Sequence, residues 1–284
     1  MEELETREVP AVTYVWQGLG TLPGGAPDPS WSNPQNWLVF SPGAPPAPTG
    51  VAANVEDLVF GETPGGSKTS VNDIAGGTFN SIVFSTTQAN SNYTLSGNAI
   101  TLGQPSNPQS GFINVDPSSI GNVIAFDMLL GTGQANQTFT INGSLSVTGH
   151  LTGSAGSGLV KKGSGDLTLA ADNSGYLGTI AIADSSGTLT ITNANALGDS
   201  ANGTTVGTNS TLYVSNVAGV INEPILLQGP GKTPDEGALY NLAGSNVWAG
   251  TITLANGSGT QGVTIGAAPG TLLNPSVLAI NGLV

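Results

Sequence analysis

The sequence predicts an all-β chain that coils into a stack of short strands, a β-solenoid. Three observations carry this. Short alternating apolar runs recur, as in Leu167-Thr168-Leu169, Ile180-Ala181-Ile182 and Leu189-Thr190-Ile191. Period-two alternation over so few residues means a short strand with one buried face. The Gly, Asn, Asp and Ser spacers between runs are too short for a helix or a crossover, so the chain turns a corner and starts another strand. Finally, 42 Gly and 18 Pro in 284 residues favour many turns and few helices.

Along the chain, residues 1–15 read as an acidic arm. Glu2, Glu3, Glu5 and Glu8 keep its start exposed, and Val12-Thr13-Tyr14-Val15-Trp16 forms one strand. Such a strand can add to the sheet of a neighbouring subunit; a frayed terminus is the competing reading. Residues 16–50 hold Trp16, Trp31 and Trp37 among many prolines. The run Ser41-Pro42-Gly43-Ala44-Pro45-Pro46-Ala47-Pro48 cannot join a strand ladder internally. A solenoid needs its first layer covered, so residues 16–50 are expected to be a Trp/Pro-rich cap. The alternative, a small carbohydrate-binding module, is disfavoured because ~35 residues rarely make a domain unaided.

Residues 51–284 are expected to form the solenoid. Leu58-Val59-Phe60, Ile82-Val83-Phe84, Tyr93-Thr94-Leu95, Ile100-Thr101-Leu102 and Phe112-Ile113-Asn114-Val115 follow at short intervals. Thr138-Phe139-Thr140-Ile141, Leu145-Ser146-Val147, Leu212-Tyr213-Val214, Ile225-Leu226-Leu227 and Ile252-Thr253-Leu254 continue the pattern, and Val277-Leu278-Ala279-Ile280 is the last run. With layers ~4.8 Å apart and roughly 20–25 residues per turn, the body is a rod about 50–60 Å long.

Composition excludes several functions. Charged residues make up 8% of the chain, against roughly a quarter in an ordinary domain. With 38% hydrophobic residues and so little charge, the chain is expected to fold. A net charge of -13 and a pI near 4.1 offer no basic stripe to nucleic acid and repel anionic membrane surfaces. The absence of cysteine excludes disulfides, thiolate metal sites and a Cys nucleophile. No run approaches the ~20 apolar residues of a membrane span, so no membrane insertion is expected. The N-terminus MEELETREVP lacks the apolar core of a signal peptide. An export signal removed before this numbering begins, or a fragment, both fit that observation.

The segment Leu159-Val160-Lys161-x-Gly163-x-Gly165-x-Leu167-x-Leu169, followed by Asn173, Tyr176, Gly178, Gly187-Thr188-Leu189 and Asn193-Ala194-x-Ala196-Leu197-Gly198, resembles the autotransporter-associated β-strand repeat of bacterial passenger domains and large secreted surface proteins. The opening resembles the start of such proteins: Trp16-x-Gly18, then Trp31-Ser32-x-x-x-Asn36-Trp37, then Asp57-Leu58-Val59-Phe60. Thr251-Ile252-Thr253-Leu254 through Gly270-Thr271-Leu272 is similar to the later turns, so the resemblance covers most of residues 16–273. It implies a right-handed parallel β-helix at a bacterial cell surface or outside the cell, and no catalytic residues. Two departures count: family members are usually much longer, and these 284 residues are not expected to hold the longer, aromatic-girdled strands of a C-terminal outer-membrane barrel.

Motifs for chemistry are weak. Gly257-x-Gly259-x-x-Gly262 matches a dinucleotide fingerprint, but strand-like Val263-Thr264-Ile265 stands where a helix is required. Gly231-Lys232-Thr233 is the tail of a phosphate loop, with Leu226 where the first glycine belongs. His150 is the lone histidine and no G-x-S-x-G elbow accompanies it, so neither a serine triad nor a histidine zinc site is expected. A β-helical polysaccharide lyase needs clustered acids for calcium and an Arg or Lys base. Arg7 is the only arginine, Lys161 belongs to the repeat, and Asp166, Asp172 and Asp184 lack the calcium-binding nonapeptide. We therefore expect no catalytic, cofactor or metal site.

The function these readings favour is a structural extracellular protein that associates with itself, end to end, into a fibre. The expected contact residues are Val9, Val12, Tyr14 and Trp16 at the start and Val277, Leu278, Ile280 and Leu283 at the end, where an uncovered last layer would be an open template. The alternative is a monomeric adhesin or glycan-binding rod, with Trp16, Trp31 and Trp37 as a platform for surface glycans.

Overall fold

The structure is a computed structural model and describes residues 11–62, 66–86, 92–103, 111–131, 136–233, 235–255, 262–270 and 276–282. It is nearly all-β, a solenoid of about 8 turns built from parallel sheets. Among the described residues no helix is long and apolar enough to cross a membrane.

Each turn visits up to three faces. The first face is an 11-stranded sheet and the second a 9-stranded sheet. The third face carries two shorter sheets. One has four strands, from Gly77–Phe79 to Leu151–Gly153; the other has three, Val220–Ile221, Ser245–Trp248 and Val277–Ile280. Strands in successive turns pair in parallel, so the same inward position recurs in each layer. On the first face, one inward column runs Leu58, Ile82, Ile113, Phe139, Lys161, Ile182, Val206, Leu227 and Leu254. On the second face another runs Leu145, Leu167, Leu189, Leu212, Leu239 and Ile265. The alternation seen in sequence is thus the inward–outward period of each strand. The inward columns form one continuous buried core.

The start of the chain belongs to this body. Strand β1 (Val12–Trp16) lies between β2 (Trp37–Val39), with which it is antiparallel, and β3 (Glu56–Phe60), with which it is parallel. Both edges of β1 are occupied within its own chain. The expectation that Val12, Tyr14 and Trp16 form a strand for a neighbouring subunit is therefore corrected: β1 is the first layer of the chain's own first face. Residue Val9 lies outside the described residues.

The cap rests on an aromatic plug. Trp31 packs edge-on against Phe79 at 5.3 Å and Phe126 at 5.7 Å between ring centroids, and Trp16 packs edge-on against Trp37 at 5.0 Å. Each of these three indole N–H groups has an acceptor: Trp16 donates to Ser67 O at 2.8 Å, Trp37 to Trp31 O at 2.8 Å, and Trp31 to Ser70 Oγ. Two buried side chains tie the irregular segments to the first layer. Asn36 accepts from Gly20 N and donates to Asp28 O and Ser30 O. Glu56, directly beside Val12 in register, accepts from Thr49 N, Thr49 Oγ1 and Gly50 N. The Pro-rich run contributes little ladder because Pro lacks the N–H; it packs as loop instead.

The third face lapses in the middle of the rod. Between Leu151–Gly153 and Val220–Ile221 the described residues continue it only through a bridge from Gly153 to Tyr176. Turn-forming chemistry explains the lapse. Asn193 Oδ1 accepts from Asn195 N, Asp199 Oδ1 accepts from Ala201 N, and Gly198 and Gly203 adopt positive φ. Buried Ala196, Leu197 and Tyr176 fill the interior where a strand would otherwise stand. Asn173 stitches the layers across the gap, accepting from Leu151 N at 2.8 Å and donating to Ala196 O at 2.7 Å.

Candidate functional sites: an open terminal rung and a third-face cleft

The last layer consists of Ile252–Ala255, Ile265–Ala267 and Val277–Ile280. Each strand is the outermost in its sheet, and among the described residues nothing pairs with its outer edge. Several inward positions here are more exposed than their partners one layer below, although Ile252, beside Ile225, stays buried. Leu227 is fully buried while its register partner Leu254 is 47% exposed. Trp248 is fully buried while Ile280 is 36% exposed. Leu239 and Asn246 are buried while Ile265 and Leu278, above them, are half-buried. These side chains point at the core axis; what they lack is a layer above. Val277 faces outward beside Ser245 and is exposed, and Leu283 lies outside the described residues.

The expected glycan platform is not on the surface. Trp16 and Trp31 are fully buried and Trp37 nearly so, inside the plug described above. A ring with both faces packed cannot stack on a sugar, so that assignment is corrected.

The remaining residues singled out in the sequence have structural roles. Lys161 takes a core column position between Phe139 and Ile182 and is fully buried. Its ammonium donates to the carbonyls of Gly163 and Gly165, each at 2.7 Å, and to that of Ser186 in the next layer. Burial pushes its pKa down to about 8, with Lys232 adding to the fall and Asp166 opposing it. Asp166, Asp172 and Asp184 do not converge: they accept from Thr188, from Ser174 and Asn195, and from Thr208 respectively. His150 is exposed and meets Asp172 O at 2.5 Å. Gly231-Lys232-Thr233 is a loop bridged to Gly237, with no helix after it. Gly257 and Gly259 lie outside the described residues.

One site was missed in the sequence. A cleft of about 310 Å³ opens where the third sheet lapses, lined among others by Ser174, Asn195, Asp199, Ser200, Asn222 and Glu223. Glu223 lies two residues past Ile221, the end of a two-residue strand, and precedes Pro224, which leads into the next layer. Its side chain is 4% exposed. Oε1 accepts from Thr204 Oγ1 at 2.8 Å, while Oε2 is buried without any hydrogen-bond partner. Burial raises the carboxyl pKa to about 7; the Asp199 charge adds to the rise and the Thr204 hydrogen bond opposes it. The only sequence signal was a carboxylate between an apolar run and a proline in a chain that has few charges.

No family model, curated protein or solved structure matches this chain.

Proposed function

We propose that this protein is a structural β-solenoid of the extracellular or cell-surface kind, which associates with further copies of itself through its terminal layer. The single observation that carries the reading is the exposure of core-facing Leu254 and Ile280, with Ile265 and Leu278 only half-buried, along three strand edges that are unpaired among the described residues. An unpaired edge is a template for another strand. A docking layer forms on the order of ten backbone hydrogen bonds, each contributing ~0.5–1.5 kcal/mol net. Association costs about 4–15 kcal/mol in lost freedom. Hydrogen bonds alone roughly break even, and burial of the apolar column at ~25 cal/mol per Å² tips the balance.

The receiving surface is the start of the next copy. With β1 internal, the outer edge of β2 is the one left unpaired among the described residues, flanked by Leu38 at 49% and Phe40 at 66% exposure. A contact between unlike ends is heterologous and grows without closing, which makes a filament. The charge of -13 opposes growth, but charges more than ~8 Å apart are largely screened at physiological salt. The filament should persist in moderate salt and bundle sideways near the pI of 4.1. The monomeric glycan-binding alternative has lost its aromatic platform to the core.

Negative-stain microscopy and light scattering of the pure chain test this. Rods longer than one chain, shortened to single particles by the paired substitution Leu254→Lys and Leu278→Lys, are the expected result. Single particles of the unsubstituted chain at every concentration would remove the proposal. Particles that stop at two would replace the head-to-tail contact with a symmetric one.

A further inference from the structure

The cleft at the lapse of the third sheet holds a chemical imbalance. Glu223 is almost wholly buried and has one oxygen, Oε2, with no donor, while the second carboxylate, Asp199, lines the same cleft. A buried acceptor left unsatisfied costs about 1–3 kcal/mol, and more when it is charged. No Lys, Arg or His lines the cleft to answer it. The other polar groups there are oxygens or can present them. Asn195 and Asn222 each use the amide nitrogen as donor, to Asp172 Oδ2 and Val220 O, which leaves the amide oxygens as ligands. Ser174 and Ser200 add hydroxyls. Asp199 accepts from Ala201 N through Oδ1, which holds its carboxylate in the turn.

Such a set, all oxygen with two carboxylates, suits a hard cation. Calcium accepts six to eight oxygens in irregular geometry, whereas magnesium demands a tight octahedron and gives up water reluctantly. A sugar is a poorer fit, because no aromatic ring lines the cleft. We propose that the cleft is a calcium-class divalent cation site, with the carboxylates of Glu223 and Asp199 as its charged ligands and the neutral oxygens of Asn195, Asn222 and water completing the shell. The ion joins two successive layers at the place where no strand joins them on this face. With no third acid converging among the described residues, the site belongs to the weak class, with a Kd on the order of 10⁻⁴–10⁻³ M.

Thermal melts and titration calorimetry of the full chain with calcium chloride, run at dilute protein so that self-association does not contribute, read this directly. The melting temperature should rise and saturate by about 10 mM calcium, with a much smaller response to magnesium. Glu223→Gln keeps the size and the Thr204 hydrogen bond, and should weaken calcium roughly tenfold or more; Asp199→Asn, in the turn, should do the same. Asp166→Asn, an exposed carboxylate elsewhere, should leave the response intact. No response by about 10 mM, an equal response to magnesium, or a full response in both Glu223→Gln and Asp199→Asn overturns the proposal.

Discussion

At the N-terminal end of the rod Trp31 is fully buried against Phe60, Phe79 and Phe126, and an antiparallel strand closes the first sheet. At the C-terminal end Leu254 is 47% exposed in the same column where Leu227, one layer earlier, is fully buried. The two leucines are the same residue type on strands of the same length in the same sheet. Among the described residues, a strand pairs beyond Leu227 and none pairs beyond Leu254. In a solenoid, therefore, the burial of an inward position is decided by the layer above as much as by its own residue type. The N-terminal end supplies its covering layer from irregular chain and aromatic rings, while among the described residues the last layer leaves Leu254 and Ile280 exposed.

The largest expected effect tests that asymmetry. Trp31→Ala removes the ring that reaches from the cap to Phe79 and Phe126, and should cost about 3–5 kcal/mol of stability. Leu254→Ala at the open end should cost about 1 kcal/mol or less in the isolated chain, because little apolar area is lost from a half-exposed side chain. Urea unfolding of dilute protein measures both. Equal losses would mean that Leu254 is covered in solution, and the contrast between the ends would fail.

The columns that make the body were readable in sequence because period-two alternation survives in every layer, from Leu58-Val59-Phe60 to Val277-Leu278-Ala279-Ile280. The corners were readable from Gly, Asn and Pro for the same local reason. What was not readable depends on contacts between layers. Trp16, Trp31 and Trp37 have the same local signature whether they plug a core or stack on a sugar; only their neighbours Phe60, Phe79 and Phe126, far along the chain, decide it. The strand Val12–Trp16 was visible, but its pairing with Glu56–Phe60 was not. Glu223 was invisible as a site because its partner Thr204 and its neighbour Asp199 reach it from the preceding layer, across a gap in the third sheet that no single segment announces.

A middle-sized effect comes from Lys161, which separates the closed interior from both ends. Its folded pKa of about 8 lies below the ordinary lysine value of 10.5, so between those values the unfolded chain binds the extra proton. Stability should therefore rise as pH increases from about 8 towards 10.5. The buried tyrosines act in the opposite sense at higher pH. Tyr14 is pushed up to about 12 and Tyr176 further, both chiefly by burial, so the folded chain keeps protons that the unfolded chain loses above 10.0, and stability falls there. Unfolding in urea should thus show a maximum near the crossover. Lys161→Met should flatten the rising limb while leaving the falling one. It should also cost about 1–3 kcal/mol at neutral pH, because the Gly163 and Ser186 carbonyls lose a donor. A rising limb that survives in Lys161→Met would assign it to another group.

The smallest effect belongs to the other lysine of the same region. Lys232 meets Asp166 at 3.9 Å, with the two side chains 40% and 59% exposed, so the pair is long, solvated and screened. Lys232→Ala should change stability by less than about 0.5 kcal/mol, and the change should vanish in high salt. Lys161 and Lys232 have the same formal charge and both feel Asp166, yet one is held by three carbonyls inside the stack and the other lies against its side. If removing Lys232 cost as much as removing Lys161, side-chain charge on the outer face, rather than the buried layer contacts, would be holding the rod together.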